Sequence, residues 1–429
     1  MQLSNIYSLF TEFPNVVTDT RKVVSNSLFF ALKGENFNGN KFALSALDKG
    51  CKYAIVDEKE YAIDERFILV ENVLDCLQNL AREHRRHLNI PLLAITGTNG
   101  KTTTKELMHA VLTKKYNTVA TVGNLNNHIG VPLTLLRMNK ETEFGIVEMG
   151  ANHPGEIRQL CEIAEPNFGI ITNVGKAHLE GFGSFAGVRK TKKELYDFLF
   201  ENKGTVFLNA DNQYLAKMVN DQEIVRYGNC EEAFSKAKFL QAEPYMIMEL
   251  RSAIGKLYIK TKLIGAYNFE NALAAVTLGR FFNIDEISIK KALEEYEPSN
   301  NRSQLKKTEK NVLFLDAYNA NPTSMKAAIE NFAAMSQCSK VLILGDMLEL
   351  GADANKEHLE LIKLLESKDL KNVILVGEVF TAVNTNPEFK TFKNTSDLIV
   401  DLEKGQLSNQ YILIKGSRGI RLEQIIEKL

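Results

Sequence analysis

From Pro91 onward the apolar residues fall into short unbroken runs, each followed by a glycine-rich or polar turn and then a helical stretch. Strands that are apolar throughout are covered on both faces, and their alternation with helices marks a parallel sheet with crossover connections. A first group of strands is expected at Leu92–Thr96, Phe144–Glu148 and 168–172. A second group begins after the polar stretch 296–301, at Val312–Leu315, 341–344, Val373–Val376 and 411–414. Each of these stops at a polar residue or glycine, where open α/β sheets put their ligands. The first 88 residues have another rhythm, with strand-like runs at 28–32 and Tyr53–Val56, a turn cluster at 34–40 and a polar helix at 76–87. The pattern predicts an α/β protein of three domains. These are a small α/β domain at 1–88, a central parallel-sheet domain at 89–298 and a Rossmann-like α/β domain at 299–429.

Composition sets bounds and identifies nothing. A length of 429 residues, at ~150 per domain, allows two or three domains. The 52 basic and 53 acidic residues leave a net charge of −1, against the basic excess that nucleic-acid and membrane-surface binders carry. Cys51, Cys76, Cys161, Cys230 and Cys338 are scattered and form no CxxC pair, so neither structural zinc nor a disulfide framework is expected. No basic leader with an apolar run opens the chain, and no apolar stretch nears the ~18 residues of a membrane helix. A cytoplasmic monomer that neither binds nucleic acid nor inserts into membranes is the expectation.

The sharpest chemical signal is Gly97-Thr98-Asn99-Gly100-Lys101-Thr102-Thr103, between the strand Leu92–Thr96 and a helical stretch at 105–112. Glycines let successive N–H groups face one anion, and the helix adds its N-terminal dipole. Lys101 would reach the β- and γ-phosphates of a nucleotide, and the Thr102 hydroxyl would hold Mg²⁺. The general motif has a further glycine where this chain has Ile95, so the loop is a shortened variant.

Two more polar groups fall at the ends of predicted strands, Glu148 and His178. In a parallel sheet both share the rim of the phosphate loop, which makes them candidate metal ligands. Lys192 is more telling. In the segment 188–199 the apolar positions Val188, Leu195 and Leu199 make one helical face. Lys192 projects about 40°, 60° and 20° from them, on that same face, whereas Lys190 and Lys193 point away. A lysine kept in an apolar site loses its proton readily and becomes chemically modifiable.

At this point the sequence resembles the Mur ligases, the ATP-dependent amide-forming enzymes of peptidoglycan precursor synthesis. The stretches that carry the resemblance are ITGTNGKTTTKEL (95–107), GNLNNHIGVPLTLL (123–136), EMGANHPGEI (148–157) and AHLEGFGS (177–184). DAYNANPTSM (316–325), GDMLELG (345–351) and KGSR (415–418) extend it to the end of the chain. The GNLNN and DxYNAN blocks point to the branch that adds D-alanyl-D-alanine to UDP-N-acetylmuramoyl-tripeptide, and no DNPR-type diamino-acid motif is present.

The resemblance implies roles residue by residue. Gly97 to Thr103 would bind the ATP phosphates, with Asn268, Arg302 and Asp316 as further nucleotide contacts. Thr102, Glu148 and His178 would hold magnesium, and Lys192 matches a lysine that CO₂ converts to a carbamate, a further magnesium ligand. Lys101, Glu148, His178 and Lys192 would thus form the catalytic set. Thr20, Arg21 and Lys33 would serve the UDP-sugar, and Asn127, Asn319 and Asn321 would complete the substrate contacts. The chain departs from the family pattern at Ser25-Asn26-Ser27, Asn38, Asn40 and Tyr267. Asn26 tolerates a left-handed backbone, so the turn at that position is expected to persist. The implied chemistry is transfer of the γ-phosphoryl group to a carboxylate, giving an acyl phosphate that the dipeptide amine attacks. Two other readings stay open: a related ligase acting on another amino acid or on folate, and a nucleotide-binding scaffold without turnover.

Overall fold

Three sheets of largely parallel strands follow one another along the chain in a computed structural model. It describes residues 3–429 apart from 220–222, 253, 254, 300, 301, 338 and 406. Cys338 and the last two residues of the polar stretch 296–301 therefore lie outside the described residues. Among those described, no helix is long and apolar enough to cross a membrane.

The N-terminal sheet has four parallel strands in the spatial order Asn15–Val17, Ser27–Phe30, Tyr53–Val56 and Phe67–Leu69. Asn26, with φ +61°, makes the left-handed turn that leads into the buried strand Ser27–Phe30. The helix Val73–Leu88 starts earlier than its polar pattern suggests, because the Asn72 side chain accepts from the Leu74 and Asp75 amides and caps it. Leu77, Leu80 and Ala81 bury one side of this helix. From another side Gln78 donates to the His128 carbonyl (3.0 Å) and Arg85 to the Ala164 carbonyl (3.1 Å), tying it to the central sheet. A single apolar core runs from Ile6 and Phe30, through Leu77 and Leu80, to Leu92, Val147 and Leu195.

The central sheet is wholly parallel, in the order Ile224–Tyr227, Thr205–Asn209, Phe168–Ile171, Leu92–Thr96, Phe144–Glu148, Thr118–Ala120. Its register sets Ile95 beside Glu148 and Thr96 beside Ile171, so three carboxyl ends share one rim. The helices Lys101–Leu112 and Asn268–Phe281 pack on the face opposite the first core. The first of these begins at Lys101, not 105, because Gly100 adopts φ +77° and its carbonyl accepts from the Thr104 amide (2.8 Å). A three-stranded antiparallel sheet, Ala237–Ala242, Met246–Ser252 and Gly255–Lys260, adds to this region. Only alternate residues of its middle strand (Met246, Met248, Leu250) are buried, a period-two pattern that a search for unbroken apolar runs passes over.

The C-terminal sheet runs Gln304–Lys307, Val312–Leu315, Tyr411–Lys415, Lys340–Gly345, Val373–Val376, Lys390–Phe392. Its first strand is an antiparallel edge and the others are parallel. Its two faces have cores of their own, built around Phe314, Leu344 and Leu375 on one side and Leu313, Ile343 and Ile414 on the other.

Candidate active site

The phosphate loop is braced from below by the end of the neighbouring strand. Thr172 Oγ1 donates to the Asn99 carbonyl (2.6 Å), Thr98 N to the Asn173 carbonyl (3.0 Å), and Asn99 N to Asn173 Oδ1 (2.9 Å). Gly97 has φ +141°, and a Cβ there would lie 2.0 Å from Thr172 Oγ1, so only glycine lets the loop approach this closely. The Lys101 ammonium curls over the loop and donates to the Gly97 (2.8 Å) and Thr98 (3.2 Å) carbonyls. Burial pulls its pKa down, the Glu148 carboxylate works against that, and Arg302 adds a smaller downward push.

Glu148 is almost wholly buried, and both carboxylate oxygens are engaged. Oε2 accepts from Thr102 Oγ1 (2.9 Å) and Oε1 from Asn126 Nδ2 (2.8 Å), while its amide donates to Thr121 Oγ1 (2.9 Å). His178 opens the short helix Leu179–Phe182 with φ +48°, and its Nδ1 meets the Glu349 carboxylate of the C-terminal sheet's side of the cleft. That contact holds the Glu349 carboxyl below the usual range.

Lys192 lies within the helix Phe185–Glu201, which Ser184 caps by accepting from Gly187 N. It is 3% exposed, on the face it shares with Val188, Leu195 and Leu199, and its Nζ sits 5.6 Å from the centre of the Phe182 ring. Among the described residues it makes no ion pair. Burial, reinforced by repulsion from Lys101, lowers its pKa to about 7, so a large share of the amine is neutral near neutrality.

A chain of side-chain hydrogen bonds links the loop to Ser303. Thr104 Oγ1 donates to Asn271 Oδ1 (3.0 Å), Asn271 Nδ2 to Asn268 Oδ1 (2.9 Å), and Asn268 Nδ2 to Ser303 Oγ (3.0 Å). The C-terminal sheet reaches the loop directly: Asn321 Nδ2 donates to Asn99 Oδ1 (2.7 Å). Lys176 and Glu357, 2.6 Å apart, add an ion pair to this contact. The Arg302 guanidinium stacks 3.6 Å from the centre of the Tyr318 ring. Gly97–Thr103, Glu148, His178, Lys192, Asn268, Arg302, Asp316, Asn319, Asn321 and Asn127 all line one cleft of about 640 Å³. Thr20, Arg21 and Lys33 are not in its lining. Arg21 forks onto Asp19, and Lys33 pairs with Asp57 (3.1 Å) and Glu58 (3.4 Å).

Models of three families match in sequence order: the Mur ligase family catalytic domain at residues 12–85, the Mur ligase middle domain at 95–279, and the Mur ligase glutamate ligase domain at 301–418. A UDP-N-acetylmuramoyl-tripeptide–D-alanyl-D-alanine ligase of Bacillus subtilis is 33% identical over 98% of this chain and 93% of its own. The chain belongs to the Mur ligase family. Among solved structures, a MurF crystal structure from Acinetobacter baumannii is 30% identical and superposes with a TM-score of 0.87 over 97% of this chain and 93% of its own. A MurF ligase from Thermotoga maritima in complex with ADP is 27% identical, with a TM-score of 0.84 over 96% of each chain.

Two residues of this Mur ligase's cleft escape a reading by motif. Asn126 holds the second oxygen of Glu148 and sits inside the GNLNN block, whose outer glycine and asparagines draw more attention. Lys415 is 1% exposed at the end of its strand and pairs through Nζ with Asp316 Oδ2, so it positions that carboxylate. Lys415→Met leaves Asp316 without its cationic partner and is expected to cost about 3 kcal/mol of stability in urea denaturation. Adding Asp316→Asn to it is expected to restore much of the stability and none of the ATP affinity, measured as the KM for ATP.

Proposed function

We propose that this Mur ligase joins D-alanyl-D-alanine to UDP-N-acetylmuramoyl-tripeptide with hydrolysis of ATP to ADP and phosphate. The observation that carries this reading is the cleft, where phosphate loop, buried carboxylate, near-neutral lysine and residues of the C-terminal sheet converge. Full-length similarity to the D-alanyl-D-alanine-adding ligase supports the substrates, and the ADP complex of a relative supports the nucleotide. Residues 1–88 take the UDP-sugar through Thr20, Arg21 and Lys33, residues 89–298 take ATP, and residues 299–429 take the dipeptide and part of ATP. The reaction is a cytoplasmic step and the protein acts as a monomer.

A carboxylate is a poor acyl donor, because its leaving group is oxide. Transfer of the γ-phosphoryl group to the tripeptide carboxylate gives an acyl phosphate, the dipeptide amine forms the amide bond, and phosphate departs with the former carboxylate oxygen. Backbone amides of 97–103 cradle the phosphates, and Lys101 exchanges its loop carbonyls for phosphate oxygens as charge gathers there. Asn268 and Asp316 hold the adenosine end.

The residues fit magnesium at one place and allow it at a second. Among the described residues no three His, Cys, Asp or Glu side chains cluster into a ready-made metal site. The Thr102 hydroxyl and Glu148 carboxylate, in contact on the rim, are hard oxygen donors of the kind magnesium shares with nucleotide phosphates and water. When bound, magnesium neutralises developing phosphate charge. His178 and Lys192 would hold a second ion, on the condition that the amine is converted. A neutral amine adds to CO₂, a proton leaves to solvent, and the product is a carbamate. This accounts for a lysine buried without an anionic partner.

The test is phosphate release from ATP with UDP-N-acetylmuramoyl-tripeptide present and each candidate amine in turn. Release that depends on D-alanyl-D-alanine is expected, with a product heavier than the tripeptide precursor by the dipeptide less water. No stimulation by this dipeptide, or stronger stimulation by a single amino acid, overturns the assignment.

A further inference from the structure

Most cations on the cleft are already committed. Lys101 lies on the phosphate loop, Lys415 on Asp316, and His178 on Glu349. Among the described residues two guanidiniums there contact no carboxylate, Arg302 and Arg418, and both lie against the Tyr318 ring, at 3.6 and 5.3 Å. Arg302 lines the same cleft as the phosphate loop, and its charge disfavours the proton on Lys101. Arg418 is exposed, and among the described residues its one side-chain hydrogen bond is a long donation from Nη1 to Tyr318 Oη (3.4 Å).

The loop that bears Arg418 is held on every side. Lys415 is pinned to Asp316. A Cβ on Gly416 would lie 2.9 Å from Gly345 Cα, so two strand ends touch there backbone to backbone. Ser417 N donates to the Asp346 carbonyl (3.1 Å), and Ser417 Oγ accepts from Leu348 N (2.9 Å). A long side chain thus springs from a fixed base, and among the described residues it pairs with no carboxylate. Such a group is available to take a carboxylate in a forked, two-bond contact.

We propose that Arg418 receives the C-terminal carboxylate of the incoming dipeptide. This rests on the reading that D-alanyl-D-alanine is the amino substrate. The dipeptide carries one anion, at the end away from its reacting amine, and otherwise two methyl groups and one peptide unit. Methyl groups give weak discrimination, whereas an unmatched charge in a site built for one is rejected strongly. One residue of extended chain spans about 3.5 Å, so a guanidinium borne on a braced loop also favours one length of substrate. A single D-alanine with its carboxylate on Arg418 holds its amine that far short of the acyl phosphate.

The experiment compares D-alanyl-D-alanine with its C-terminal amide, D-alanyl-D-alaninamide, in the unaltered enzyme, Arg418→Met and Arg418→Lys. The unaltered enzyme is expected to prefer the acid by at least about thirtyfold in kcat/KM, in line with loss of a charge-assisted contact. Arg418→Met is expected to raise the KM for the dipeptide about thirtyfold and to bring the acid-to-amide ratio near one. Its KM values for ATP and for the UDP-linked precursor are expected to stay within about twofold. Arg418→Lys keeps the charge and is expected to recover part of the preference. An acid-to-amide ratio that survives Arg418→Met overturns the proposal, as does a rise confined to the KM of ATP or of the UDP-linked precursor. Failure of the unaltered enzyme to use the dipeptide at all overturns the substrate reading and this proposal with it, and is recognised because it precedes any substitution.

Discussion

Lys192→Ala is expected to lose about a thousandfold or more in turnover, and added formate or acetate is expected to return part of it. The side chain sits beside Phe182, Val188 and Leu195 with no anionic partner among the described residues, so its removal breaks no ion pair and leaves the fold intact. It leaves a slot that a small carboxylate can enter, standing in for the proposed carbamate. Lys192→Arg is the matching control. It fills the slot with a permanent charge that cannot add CO₂, and it is expected to be as inactive as the alanine variant and deaf to formate. A pH profile adds a third measure. With its pKa near 7, the amine takes up protons as the pH falls, so activity that depends on the carbamate declines below neutrality at limiting CO₂. Near-normal turnover of Lys192→Ala removes the carbamate from the mechanism.

Gly97→Ala is expected to lower kcat/KM for ATP by at least about a hundredfold, through position alone. The added methyl meets Thr172 Oγ1 at 2.0 Å and the Thr172 amide at 3.0 Å, at a φ that side-chain-bearing residues avoid. Thr172 cannot step aside freely, because its hydroxyl is bonded to the Asn99 carbonyl of the same loop. The loop must lift, and the amides that face the phosphates lift with it. Thr172→Ala in the same chain removes the nearest obstacle and leaves the backbone strain, so the double variant is expected to regain part of the ATP affinity. Equal KM values for ATP in Gly97→Ala and the unaltered enzyme contradict this account.

Most of the sheet order is written in short-range patterns, and most of the site is not. The strands Leu92–Thr96, Phe144–Glu148, Val312–Leu315 and Val373–Val376 are legible because burial on both faces requires unbroken apolar runs. Lys192 is legible because helical spacing is a local rule. Asn126 and Lys415 act through partners 22 and 99 positions away, and no window along the chain contains both members of either pair. The strand Met246–Ser252 was hidden by its own half-exposure, and the edge strand Gln304–Lys307 has no residue fully buried to announce it. The resemblance carried by DAYNANPTSM implies roles for Asp316, Asn319 and Asn321, whereas in KGSR it implies none for Lys415 or Arg418. Their contacts with the phosphate loop and with Asp316 come from the way two sheets meet.

The helix Val73–Leu88 carries one more implication. Its apolar side and its hydrogen bonds to His128 and Ala164 make the N-terminal and central sheets share an uninterrupted interior, whereas the C-terminal sheet meets them across a polar cleft and a small apolar contact at Ile264 and Tyr245. Unfolding by heat or urea is therefore expected to involve two cooperative blocks in this chain, not three. Cutting the chain after residue 88 would strip the central block of part of its own interior, while the last block keeps most of the core that it builds from its own helices.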